Sequence, residues 1–66
     1  MREKLLAVIR EHPGMTKRII TSYACCPFLE GIKLIYEMER EGLIRKTVHT
    51  DMANMEFYEE WYVREG

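Results

Sequence analysis

No segment of this chain approaches the ~20 consecutive apolar residues of a membrane-crossing helix, so no membrane partner is expected. No secretory signal is expected either. Arg2, Glu3 and Lys4 lead into a short mixed run where a signal would carry an apolar core. A cytoplasmic location is the resulting expectation. Cysteine is scarce, and Cys25 and Cys26 stand side by side. Neighbours do not easily reach the ~5.5 Å Cα separation and side-chain vectors of an ordinary disulfide. This is no secreted disulfide framework. Structural zinc sites want four ligands, with cysteines two or more residues apart. Even with His12 or His49 the pair is poorly spaced for metal, so reduced thiols in or near a core turn are expected, with no metal and no cofactor. Glycine-rich phosphate loops, paired carboxylates in an evident pocket and Ser/His/Asp or Cys/His sets are missing too. A 66-residue chain also has little room for a cleft, so no enzyme is expected.

What is present belongs to one small folded domain spanning residues 1–66. Apolar residues make up 47% and charged residues 32%, a globular balance. A chain this short buries only about 60% of its unfolded surface, near the lower limit for folding alone. The net charge of −1 argues against strong non-specific binding of nucleic acid. Its distribution is uneven. Residues 1–46 hold nine basic and six acidic residues, net +3, whereas residues 47–66 hold one and five, net −4. Any basic face must come from the first two thirds of the chain.

The spacing predicts a first helix over Arg2–Glu11, with Leu5, Leu6, Val8 and Ile9 on its apolar face. His12-Pro13-Gly14 ends it, and Met15 is placed for a short strand pairing. Thr16 suits an N-cap for a second helix over Lys17–Tyr23, whose buried side is marked by Ile19, Ile20 and Tyr23. Ala24-Cys25-Cys26 is the turn. Pro27 suits the first position of a third helix running to Glu41, with Glu30 favourable in its first turn and Gly42 as a left-handed stop. A strand over Leu43 to about His49 follows, then a loop over residues 50–55 with Asp51 and Asn54 as turn residues. Glu56–Arg64 returns as the second strand of an antiparallel hairpin. The odd set Phe57, Trp61 and Val63 is the more apolar and is expected inward, with Tyr58 and Tyr62 on the other face.

This order, from Thr16-Lys17-Arg18-Ile19-Ile20 through Ala24-Cys25-Cys26 and Gly31 to Met38-Glu39-Arg40-Glu41-Gly42-Leu43-Ile44, resembles the winged helix-turn-helix of small bacterial and phage transcriptional regulators. It is broadly similar to the short fimbrial phase-variation regulators. The resemblance implies an α+β, mainly α fold: three helices and a C-terminal two-stranded wing. It places Ile20, Ala24, Cys26, Gly31, Ile35 and Met38 in the core. It leaves Phe28, Leu29, Ile32, Lys33 and Tyr36 on the outer face of the third helix, which in DNA-binding relatives enters the major groove. Double-stranded DNA is the implied partner. Lys33 would contact the groove, Lys17, Arg18, Arg45 and Lys46 would contact phosphates, and His49 would add charge near the wing tip below pH ~6.5.

Only Lys33 on that outer face has the polar chemistry common in groove readers. Three explanations stand side by side. The register could be one residue off, burying Phe28, Ile32 and Ile35 and exposing Gly31 and Leu34. The face could bury against a protein partner or a second copy through Phe28, Leu29, Ile32 and Tyr36, since contiguous apolar surface marks interfaces. Or Phe28 or Tyr36 could touch thymine methyl groups or sugars.

Overall fold

Leu5 and Ile9 stand one helical turn apart and are fully buried, and that spacing organises the first element. In the computed structural model, which describes residues 1–64, helix α1 covers Arg2–Glu11, α2 Lys17–Tyr23 and α3 Phe28–Arg40. Strands β1, Ile44–Asp51, and β2, Glu56–Val63, follow as an antiparallel hairpin. The chain is thus a winged helix of the α+β class. The last two residues of the expected 1–66 domain lie outside the described residues.

One core joins the layers. Leu5 and Ile9 from α1, Ile20 and Ala24 from α2, Cys26 from the joint, Ile35 and Met38 from α3, Ile44 from β1 and Trp61 from β2 pack together. Gly31 lies buried on the same face of α3, which settles the register. Phe28 stays exposed, and the alternative with Gly31 outside fails.

Several elements differ from expectation. Ile19 and Tyr23 of α2 are exposed, and Thr21 and Ala24 take their places beside Ile20. The cause is the close approach of α3, whose Gly31 abuts Thr21. Tyr23 stacks instead on His12, with ring centroids 4.9 Å apart. Thr16 does occupy the N-cap position of α2, but its hydroxyl makes no capping bond. Pro27 is the N-cap of α3 and not its first helical residue, and Glu41 is its C-cap.

Gly42 ends α3 at φ 82°, where its N–H donates to Glu39 O and the Leu43 N–H donates to Met38 O at 3.0 Å each. These are the paired bonds of a Schellman stop, which needs a left-handed residue at this point. Cys25 shares that backbone region at φ 53° without glycine's freedom. A Cβ there costs about 1–2 kcal/mol. Cys25→Gly should therefore raise stability by about 0.5–1 kcal/mol after glycine's larger unfolded-state entropy is set against it. A thermal melt reads this as a gain of roughly 2–8 °C, and an unchanged or lower midpoint would refute the strain.

The hairpin is longer than expected, because Thr50 and Asp51 stay in register against Phe57 and Glu56. Asp51 then caps the turn: its Oδ1 accepts the Ala53 N–H at 3.0 Å and its Oδ2 accepts from Asn54 Nδ2 at 2.9 Å. At the other end, β1 starts at Ile44 and β2 stops at Val63. Met15 pairs with Trp61 on the outer edge of β2, as its position suggested. Pairing alternates cleanly along the wing. Ile44, Lys46, Val48 and Thr50 share the core-side face with Phe57, Glu59, Trp61 and Val63. The distal half of this face projects past the core. Phe57 lies on the expected side yet is 75% exposed, because nothing stands opposite it.

Candidate nucleic-acid interface

The helix-turn-helix is built by the four residues Ala24 to Pro27, across which α2 and α3 are bent by 110°. That bend leaves the Phe28, Leu29 and Lys33 side of α3 uncovered among the described residues. Lys33 is exposed there and forms no ion pair among the described residues. Leu29, one turn before it, is 82% exposed, and Phe28 is 46% exposed. Ile32 is half-buried. Arg40 is exposed two turns after Lys33 and shares its helical face. The heptad spacing of Lys33 and Arg40 was readable in the sequence, but Arg40 was absorbed into the helix end.

Tyr36 departs from the outer-face expectation. It is half-buried against the core, its ring edge-on to Trp61 with centroids 5.8 Å apart. Its hydroxyl accepts a hydrogen bond from Lys17 Nζ at 2.6 Å. The helix turns it toward the wing, beyond the Phe28–Leu29–Ile32 patch.

The four expected phosphate-binding cations, Lys17, Arg18, Arg45 and Lys46, do not lie on one face. Lys17 and Lys46 converge on one carboxylate, Glu59. Lys17 Nζ lies 3.3 Å from Glu59 Oε1, and Lys46 Nζ lies 3.4 Å from Oε2 and 3.6 Å from Glu39 Oε2. The Lys46 approach to Oε2 is an ion pair out of line for a hydrogen bond, so that buried oxygen has no donor among the described residues. Both ammonium groups also stand over the Tyr36 ring, at 4.8 and 5.4 Å from its centroid. Burial opposes the charge on Lys17, but the bonds to Tyr36 and Glu59 outweigh it and hold its pKa above the ordinary lysine value. Burial likewise opposes the charge on Lys46, and the fields of Glu59 and Glu39 raise its pKa. A raised lysine pKa adds stability that is fully present below the unfolded value and lost as pH climbs through the folded one.

Arg45 and His49 lie on the opposite face of the wing, because neighbouring strand residues alternate. Arg45 covers the Tyr62 ring at 4.7 Å. His49 stacks on Tyr58 at 5.3 Å and meets Glu60 at 2.6 Å. Arg18 is exposed on α2. Thus Lys17, Tyr36 and Lys46 come together, Arg18 and Lys33 pair with no carboxylate among the described residues, and Arg45 with His49 faces elsewhere.

Glu59 is the residue that sequence reasoning missed. Nothing in the charge pattern of residues 47–66 singles it out, although its parity matches Phe57, Trp61 and Val63. A carboxylate inside the inward set was the available signal.

The remaining surface offers little chemistry. An open depression between α1 and the α3–β1 joint is lined by Arg2, Glu3, Leu6, Met38 and Leu43. Arg2 pairs with Glu41 at its rim. Cys25 is exposed and Cys26 buried. No single helix is long and apolar enough to cross a membrane among the described residues. Comparison with protein-family models, with curated proteins and with solved structures finds no significant match to this chain.

Proposed function

We propose that the protein binds double-stranded DNA as a winged-helix transcriptional regulator, with α3 in the major groove and the wing along the backbone. The observation that carries this is the α2–α3 pair. Its 110° bend over a four-residue joint falls within the ~90–120° range of helix-turn-helix units, and it leaves the Phe28, Leu29 and Lys33 side of α3 uncovered among the described residues. Lys33 is the groove contact. Arg18, and the wing cation Arg45 on its own face, bind phosphates. Lys17 and Lys46 can serve only when Glu59 releases them. A cytoplasmic setting accords with such a role.

The test is a fluorescence-anisotropy titration against mixed-sequence duplexes at low and moderate salt. Wild type should bind, and log K should fall linearly with log salt. Lys33→Ala should weaken binding and reduce that slope by about one unit. Binding that is absent at low salt, or indifferent to salt, would overturn the proposal.

One observation favours a second reading. Leu29 and Phe28 expose a contiguous apolar surface beside Ile32 where groove readers carry polar side chains. A protein-interaction module, or a homodimer through this patch, would use that surface. Sedimentation of the same wild-type sample separates the readings, because a self-associating chain that ignores duplex belongs to the second.

A further inference from the structure

We propose that Lys17, Tyr36 and Lys46 form a phosphodiester subsite which Glu59 fills as an internal counter-ion in the free protein. It rests on the DNA-binding reading and adds what sets the strength of that binding. Three elements meet here. Lys17 opens α2, Tyr36 comes from α3, and Lys46 with Glu59 comes from the two strands of the wing. A backbone phosphate would touch the same three elements in a docked winged helix.

The chemistry is that of an anion cradle. Two ammonium groups converge on a single carboxylate, at 3.3 and 3.4 Å. Tyr36 OH accepts from Lys17 and keeps its own proton to donate to an anion. A phosphate oxygen is the same kind of charged acceptor as a carboxylate oxygen. Glu59 Oε2 faces the Lys46 ammonium at 3.4 Å, so each carboxylate oxygen marks a place where a phosphate oxygen would meet one lysine. Neither lysine is sealed in, because both side chains keep partial exposure. The free protein thus holds two of its candidate phosphate contacts neutralised, and DNA must displace Glu59 to use them.

Glu59→Gln keeps the shape and removes the charge. It should tighten duplex binding and steepen the salt slope by about one to two units, up to one per lysine released. Glu60→Gln makes the same change in net charge on the opposite face of the wing, and it should leave the slope within half of that shift. Glu59→Ser gives an independent readout if Glu59→Gln fails to fold by circular dichroism, and it should steepen the slope in the same direction.

Wild type that binds with a normal salt slope, together with Glu59→Gln indistinguishable from it, overturns the subsite and leaves DNA binding standing. Equal effects of Glu59→Gln and Glu60→Gln overturn it too. No binding by either protein at low salt overturns both readings.

Discussion

Trp61→Ala should lower the melting temperature by roughly 12–40 °C, the largest effect of any single change in this fold. Truncating a buried aromatic to alanine costs about 3–5 kcal/mol through lost transfer energy and the cavity left behind. A domain of this length holds only ~3–10 kcal/mol in total. Trp61 is 0% exposed and touches every layer. It stands edge-on to Tyr36 of α3, its backbone bridges to Met15 before α2, and it pairs with Lys46 across the hairpin. No neighbouring side chain can fill its place without uncovering another part of the core. A far-UV circular dichroism melt checks the expectation, and a midpoint within about 5 °C of wild type would refute it. Trp61→Phe should lose far less. It keeps a ring against Tyr36 and discards an indole N–H that is buried without a partner among the described residues. Trp61 is also the chain's one tryptophan, so its emission reports the folding of every other variant.

Trp61 shows why much of the fold was legible. It sits among strand formers, in the apolar parity class of its strand, and the Met38–Ile44 run fixes the end of α3 by a glycine only a left-handed stop requires. Local rules of this kind depend on neighbours a few residues apart. The interface followed other rules. Arg45 and Lys46 carry the same expected phosphate role although a strand sends consecutive side chains to opposite faces. The Lys17–Glu59 contact joins residues 42 apart, and no local pattern announces such a pair. Tyr36 went astray for a related reason. Its helical position lies at the border of the outer face, and only the docking of the wing decides which side claims it. Sequence therefore located the cations but not their counter-ions. For a protein meant to bind a polyanion, a cation already engaged differs from one that is not.

Gly31→Ala should destabilise the domain by about 1–3 kcal/mol even though alanine is the better helix former. Gly31 lies within α3 at an ordinary helical backbone, so the substitution gains about 1 kcal/mol of helix propensity. Space decides against it. A Cβ would overlap Thr21 Cγ2 and stand 3.3 Å from Thr21 Cβ and 3.4 Å from Cys26 Sγ. Thr21 cannot simply rotate away. Its hydroxyl donates to Lys17 O and Arg18 O at 3.0 Å each, and breaking those bonds in a buried place costs about 1–3 kcal/mol. Either the helices separate or the hydroxyl loses its partners. Thr21→Ser removes the offending methyl and keeps the hydroxyl, so Thr21→Ser/Gly31→Ala should recover most of the loss. The two changes should be coupled by about 1–2 kcal/mol in a double-mutant cycle. Urea melts followed by Trp61 fluorescence measure all four proteins, and additive effects would show that the close approach is not what Gly31 serves. The same contact sets how α3 leaves the α2 joint. Gly31→Ala should therefore weaken duplex binding at temperatures where the variant is still folded, and the serine partner should restore binding and stability together.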